Sequence, residues 1–258
     1  MQVDGLTKRF GDHAAVDGVS FTLAPGASLA LVGESGSGKT TTVRMITGLE
    51  RPSGGSVRLD GRDRGDRARS RAERLARARE IQMVFQDPYL SLDPRVPAGA
   101  CVEEVLRLHT DLDRAARHAR AAELLDRVGL GEREAAALPR RLSGGQRQRV
   151  AIARALAVEP RILVLDEAVA ALDVSVQAQI LELLRTIRED AGVGYLFVTH
   201  DLAVARHIAD DVLVLKSGRV VESGPTARVL NAPEHPYTRL LLDSVPRRGW
   251  RPPQPAAG

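Results

Sequence analysis

Short apolar runs separated by Gly- and Pro-marked turns fill residues 2–60, and this spacing predicts strands, residues 19–23 and 28–32 among them. Residues 33–40 interrupt the pattern. Residues 41–49 then space their apolar positions as a helix that stops before Pro52. An Arg-rich stretch with interspersed Asp and Glu, residues 62–80, reads as a solvated surface segment of helical character. Residues 81–85 predict a short strand ending at Gln86. Pro88, Pro94 and Pro97 make the next stretch irregular. Helices are expected over 102–109 and 114–128, with Gly129 and Gly131 as the stop.

The strand signal then returns. A helix over 145–158 ends before Pro160, and residues 162–165 are continuously apolar, as in a strand buried on both faces. A helix over 176–188 and a strand over 195–199 follow. Residues 212–215 and 219–221, joined at Ser217-Gly218, read as an antiparallel hairpin. Strands alternating with helices predict an α/β core with a mostly parallel sheet. The hairpins at its ends add an antiparallel β portion, and the strand-free middle adds a helical subdomain. The expected division is one domain over 1–224, with its core at 1–86 and 147–224 and the helical subdomain at 87–146. Residues 225–258 form a C-terminal helix and a loose tail rich in proline (Pro246, Pro252, Pro253, Pro255).

Composition narrows the classes. The 258 residues are 43% hydrophobic, enough for a substantial core. Cys101 is the only cysteine, so a disulfide scaffold is excluded and a reducing compartment is expected. The apolar runs fall far short of the roughly 20 residues that span a bilayer, and no leader pattern follows Met1. The net charge of +4 suggests nucleic acid, but aromatic residues are 3% of the chain and single-strand binders stack bases on aromatic platforms. A compositional preference for arginine explains the charge: only Lys8, Lys39 and Lys216 are lysine.

Gly33, Glu34, Ser35, Gly36, Ser37, Gly38, Lys39 and Thr40 spell G-x-x-x-x-G-K-[ST] between a predicted strand and a predicted helix. The glycines let backbone N–H groups wrap phosphate oxygens without Cβ clashes. A helix dipole supplies only about half a charge, against roughly four negative charges on a triphosphate, so Lys39 must add a full one. Thr40 offers a hydroxyl to Mg²⁺, and Thr41 continues the nucleotide-binding set into the helix. The fold this motif implies is a P-loop NTPase core. An apolar strand ending in Asp166-Glu167 supplies the carboxylates: Asp166 for Mg²⁺, Glu167 one residue further to polarise the attacking water.

Ser143, Gly144, Gly145 and Gln146, preceded by Leu142, lie some 20 residues before Asp166. Ser143 suits a helix cap and the glycines expose N–H groups, which makes a second anion site. With this pentapeptide the chain resembles the ATP-binding cassette (ABC) ATPases over nearly its whole length. The resemblance implies that the second site meets the γ-phosphate held by another subunit. It further implies Phe10 stacking on adenine, Gln86 contacting Mg²⁺ or water, Asp173 touching the opposite subunit and His200 contacting the γ-phosphate. The catalytic set is then Lys39, Gln86, Glu167 and His200, and the metal set Thr40, Gln86 and Asp166. His13, His109, His118, His207 and His235 match no motif and are expected on the surface. Two departures stand out. Ala168 and Val169 replace the usual Pro and Thr after the catalytic Glu, which implies looser positioning of Glu167. The N-terminus leaves little of the usual first strand before Leu6.

Residues 82–95, residues 171–177 and His235-Pro236-Tyr237-Thr238 are similar to the oligopeptide/dipeptide and nickel importer ATPases, without the C-terminal cysteine cluster of some members. The implied function is an ATP-hydrolysing subunit of a peptide importer. The alternatives are a nickel or other small-solute importer, or a nucleotide-regulated module outside transport. The implied cofactors are ATP and Mg²⁺. The implied partners are transmembrane permease subunits, a second ABC ATPase subunit and, indirectly, an extracytoplasmic solute-binding protein, with no nucleic acid. The implied place is the cytoplasmic face of the cell membrane.

Overall fold

The computed structural model describes residues 1–65, 70–86 and 91–244. The Pro-rich tail, and residues 87–90 of the stretch after Gln86, lie outside the described residues.

Two sheets share one interior. The smaller is antiparallel, with strand order β2-β1-β4-β5: β1 Gln2–Phe10, β2 His13–Thr22, β4 Gly54–Leu59 and β5 Arg62–Asp63. The larger has order β10-β9-β3-β8-β7-β6: β3 Ser28–Val32, β6 Ile81–Val84, β7 Ile162–Asp166, β8 Gly194–Thr199, β9 Asp211–Lys216 and β10 Arg219–Pro225. Its strands are parallel except β10, which returns antiparallel on β9. The turn between them puts Ser217 at φ 48° and Gly218 at φ 78°, the left-handed pair that a two-residue hairpin needs.

The central strands read as unbroken apolar runs because both faces are covered. In β7 and β8, Leu163, Leu165, Tyr195 and Phe197 enter one core, while Ile162, Val164, Leu196 and Val198 enter the other. The second core lies between the two sheets with Leu6, Val16, Val19, Val43 and Ile46. The first receives the helices α3 Ala98–His109, α4 Arg114–Arg127, α6 Gly144–Leu156 and α7 Val174–Ala191 through Val102, Leu124, Ile152 and Ile180. The remaining helices are α1 Lys39–Ile46, α2 Arg71–Glu80, α5 Glu132–Ala135, α8 Leu202–Ile208, α9 Thr226–Asn231 and α10 Pro236–Asp243. Among the described residues no helix is long and apolar enough to cross a membrane.

Several bounds differ from expectation. The first strand starts at Gln2, four residues before Leu6: Gln2 and Val3 pair with Thr22 and Phe21, and the Met1 ammonium donates to the Leu23 carbonyl at 2.7 Å. β2 offers partners from its far end, which no local signal near Met1 reveals. α1 begins at Lys39 and ends at Ile46, because Gly38 supplies its start and Gly48, at φ 77°, its exit. Two of the histidines expected on the surface are only partly exposed. His109 is half-buried, and burial pushes its imidazole below the usual range. His235 caps α10, its Nδ1 accepting the Tyr237 N–H at 3.1 Å.

Candidate active site

Parallel register brings four strand ends to one edge. Val32 pairs with Thr199 and Val214, Asp166 with Val198, and Leu165 with Val84. The residues that follow these strands therefore emerge side by side: the Gly33–Thr40 loop, Glu167, His200 and Gln86.

The loop is tightly enclosed. Gly33 has φ 152°, and a Cβ there would strike the Leu215 carbonyl. Gly38 begins α1 at φ 104°, and a Cβ would stand 2.6 Å from the Ala15 carbonyl oxygen. Only glycine fits at either position. The β9–β10 turn braces the loop from outside, Gly218 N–H donating to the Ser37 carbonyl at 2.9 Å. Lys39 is 5% exposed, and its Nζ donates to the carbonyls of Gly33 at 2.7 Å and Glu34 at 2.8 Å. Burial pushes its ammonium below the usual range, against the pull of the Glu167, Asp166 and Glu34 carboxylates. Glu34, Ser35, Gly36 and Thr40 are exposed, Ser37 is buried, and Thr41 is half-buried.

Asp166 is 9% exposed, and its Oδ1 is buried without a partner. Burial, then the charge of Glu167, raises its carboxyl above the usual range. Glu167 sits at φ 48°, a left-handed conformation costly for a residue with a Cβ. Its N–H donates to the Val198 carbonyl at 2.9 Å, and its Oε1 lies 3.3 Å from His200 Nδ1. Ala168 and Val169 are buried, and the Ala170 N–H closes the turn on the Glu167 carbonyl at 3.0 Å. Burial of these two side chains and this bond are the contacts that hold the turn. Gln86 is exposed at the end of its strand. Phe10 is 52% exposed, and Lys8 Nζ stands 4.9 Å from its ring centroid while bonded to Glu50 at 2.6 Å.

Ser143 to Gln146 and Asp173 are not part of this edge. Ser143 caps α6 in a reciprocal box with Gln146: Ser143 Oγ accepts the Gln146 N–H at 3.2 Å, and Gln146 Oε1 accepts the Ser143 N–H at 2.8 Å. Gly145 is buried against Val176, and Gly144 lies beside Leu172. Asp173 caps α7, accepting from the Val176 N–H at 3.0 Å and the Ser175 hydroxyl at 2.7 Å, and these bonds hold its carboxyl below the usual range. Among the described residues no hydrogen bond joins residues 143–146 to residues 33–41.

The sequence reading missed two neighbours of the site. Lys8 lies two residues from Phe10 on one strand, a spacing that puts both on one face. Tyr237 Oη accepts the Glu34 N–H at 3.2 Å across 203 residues of chain, a contact with no local signal.

The chain matches the ABC transporter family over residues 16–170, and the oligopeptide/dipeptide transporter C-terminal region over residues 221–255. It is 48% identical over 242 residues to the oligopeptide transport ATP-binding protein OppD of Mycobacterium tuberculosis, covering 94% of this chain but 39% of that protein. The chain thus spans well under half the length of that relative. It is 46% identical to the dipeptide transport ATP-binding protein DppF of Escherichia coli, covering 90% of this chain and 69% of that one. The ATP-binding cassette MJ0796, solved as a dimer in a post-hydrolysis state with ADP and Pi, superposes with a TM-score of 0.78 at 34% identity, over 87% of this chain and 98% of that one.

Proposed function

Because the chain belongs to the ABC transporter family, we propose that it hydrolyses ATP to power an importer of di- or oligopeptides. The observation that carries the chemistry is the single sheet edge holding Lys39, Asp166, Glu167 and His200. The names of the relatives and the matched C-terminal region support peptide as the cargo.

The Gly33–Thr41 backbone binds the phosphates, with Phe10 as the face for adenine. Lys39 already holds its ammonium against the Gly33 and Glu34 carbonyls. An incoming triphosphate offers it stronger, charged acceptors. Glu167 takes a proton from water as its oxygen bonds to the γ-phosphorus, and the bond to the β,γ-bridging oxygen breaks to release ADP. His200 steadies Glu167 from the solvent side and reaches the γ-phosphate. The residues fit Mg²⁺: the partnerless buried Oδ1 of Asp166 is an orphan that a cation satisfies, and Thr40 and Gln86 present exposed oxygens nearby in the sheet order. When bound, Mg²⁺ neutralises phosphate charge.

Two cassettes close head-to-tail in this reading, each nucleotide lying between one loop and the partner's Ser143–Gln146 segment with Asp173 at the seam. ATP favours closure because it contacts both halves only in the closed state. Residues 1–224 act as one ATP-binding domain, with 87–146 as the helical subdomain and 225–258 as an appended C-terminal region. Separate permease subunits receive the stroke at the cytoplasmic face, near Gln86 to Arg95, and a solute-binding protein delivers cargo from outside. Glu167→Gln tests this: it should bind ATP, lose turnover and accumulate a dimer on size-exclusion chromatography. Normal turnover sinks the assignment.

A further inference from the structure

A phosphate loop must hold its amides toward an anion before the anion arrives, and glycines make that order entropically costly. The peptide group joining Gly33 to Glu34 is gripped at both ends. Its carbonyl accepts Lys39 Nζ at 2.7 Å, and its N–H donates to Tyr237 Oη at 3.2 Å. N–H and C=O point in opposite directions across a trans peptide. The tyrosine hydroxyl therefore fixes the plane that determines where the Lys39 ammonium stands.

Tyr237 is well placed to act as a fixed post. It is 4% exposed in the larger core, and Lys216 Nζ stands 4.8 Å from its ring centroid. The segment before it is pinned to β10: the Glu222 carboxylate accepts the N–H groups of Glu234 at 2.8 Å and His235 at 3.1 Å. His235 then caps α10 through the Tyr237 N–H. The chain of contacts runs from β10 through the start of α10 into the loop without a gap.

We infer that Tyr237 is a positioning residue for the phosphate loop, so that docking of α10 and affinity for nucleotide are coupled. This rests on the reading that the loop binds ATP. Coupling is reciprocal: if the docked helix favours nucleotide, bound nucleotide favours the docked helix by the same factor.

The test uses the full chain and Tyr237→Phe, which keeps the ring and its lysine and removes one hydroxyl. KM for ATP and the Kd for ADP should rise about fivefold, the worth of one hydrogen bond, with kcat unchanged. Tyr195→Phe removes a comparable buried bond, from Tyr195 Oη to the Leu184 carbonyl at 2.8 Å, and should lower the melting temperature while leaving KM alone. In the unsubstituted chain, saturating ADP should slow amide exchange in residues 237–243. An unchanged KM in Tyr237→Phe, or an equal rise in Tyr195→Phe, overturns the inference. If Tyr237→Phe does not fold, the exchange measurement decides: no protection of α10 by ADP overturns it. Failure of the unsubstituted chain to bind ADP at all defeats the nucleotide reading instead.

Discussion

His200 holds Nδ1 3.3 Å from Oε1 of Glu167, and the two side chains arrive from neighbouring parallel strands. Glu167 is also held in a left-handed backbone conformation, with its N–H tied to Val198. The carboxylate is thus aimed by its backbone and steadied by one exposed imidazole. His200→Ala should lower kcat about 10²-fold, the low end of what losing one preorganised donor at a transition state costs. KM for ATP should change little. Steady-state kinetics check this, and an unaltered kcat contradicts the role.

Asp166 carries a charge that the nucleotide-free chain disfavours. Its folded carboxyl binds a proton more tightly than its unfolded one, because of burial first and Glu167 second. Between the ordinary Asp range and the raised value, the folded state therefore holds more protons, and stability falls as pH rises through that window. Asp166→Asn should raise the melting temperature of the nucleotide-free chain by about 2–4 °C near neutral pH. The difference should vanish below the ordinary Asp range. The same variant should lose the extra stability that MgATP confers on the unsubstituted chain. Thermal unfolding with and without MgATP, across pH, reads all three effects.

Gly145 is a contact point between two helices. A Cβ there would stand 2.5 Å from Val176 Cγ1, so alanine forces α6 and α7 apart. Gly145→Ala should cost about 1–3 kcal/mol and reduce turnover, because the capped start of α6 shifts. Adding Val176→Ala removes the obstructing methyls and should restore most of both. Denaturant midpoints and ATPase rates of the single and double variants measure the rescue, and additive losses argue against a steric cause.

Phe10 offers one ring face to a base, since Lys8 stands over the ring and is tied to Glu50. Phe10→Ala should raise KM for ATP about tenfold, within the range of a base–aromatic stack, while Phe10→Trp should keep it low. Competition by other nucleoside triphosphates should strengthen in the alanine variant as base preference fades. Equal KM values across the three proteins contradict stacking.

The loop, the strand ending in Asp166-Glu167 and the capped start of α6 were legible because each is encoded within a few consecutive residues. Gly33 to Thr40 carry their own turn, charge and hydroxyl. Leu163 and Leu165 alternate with Ile162 and Val164, yet the alternation is invisible because both faces are apolar. The full extent of β1 is not legible locally because its partners at Phe21 and Thr22 come from the far end of the next strand. The half-burial of His109 was hidden because it too depends on packing between segments distant in sequence.

By itself the sequence determined which residue types occur at phosphate-binding, carboxylate and capping spacings, and the order of strands and helices that carries them. These are properties of short segments, where local sterics and periodicity suffice. Only the tertiary structure decided that four strand ends share one edge, that Gly145 has no room beside Val176, and that Tyr237 reaches Glu34 across 203 residues. Such relations come from register and packing, where distant segments meet because burying both faces of one sheet leaves them nowhere else to lie.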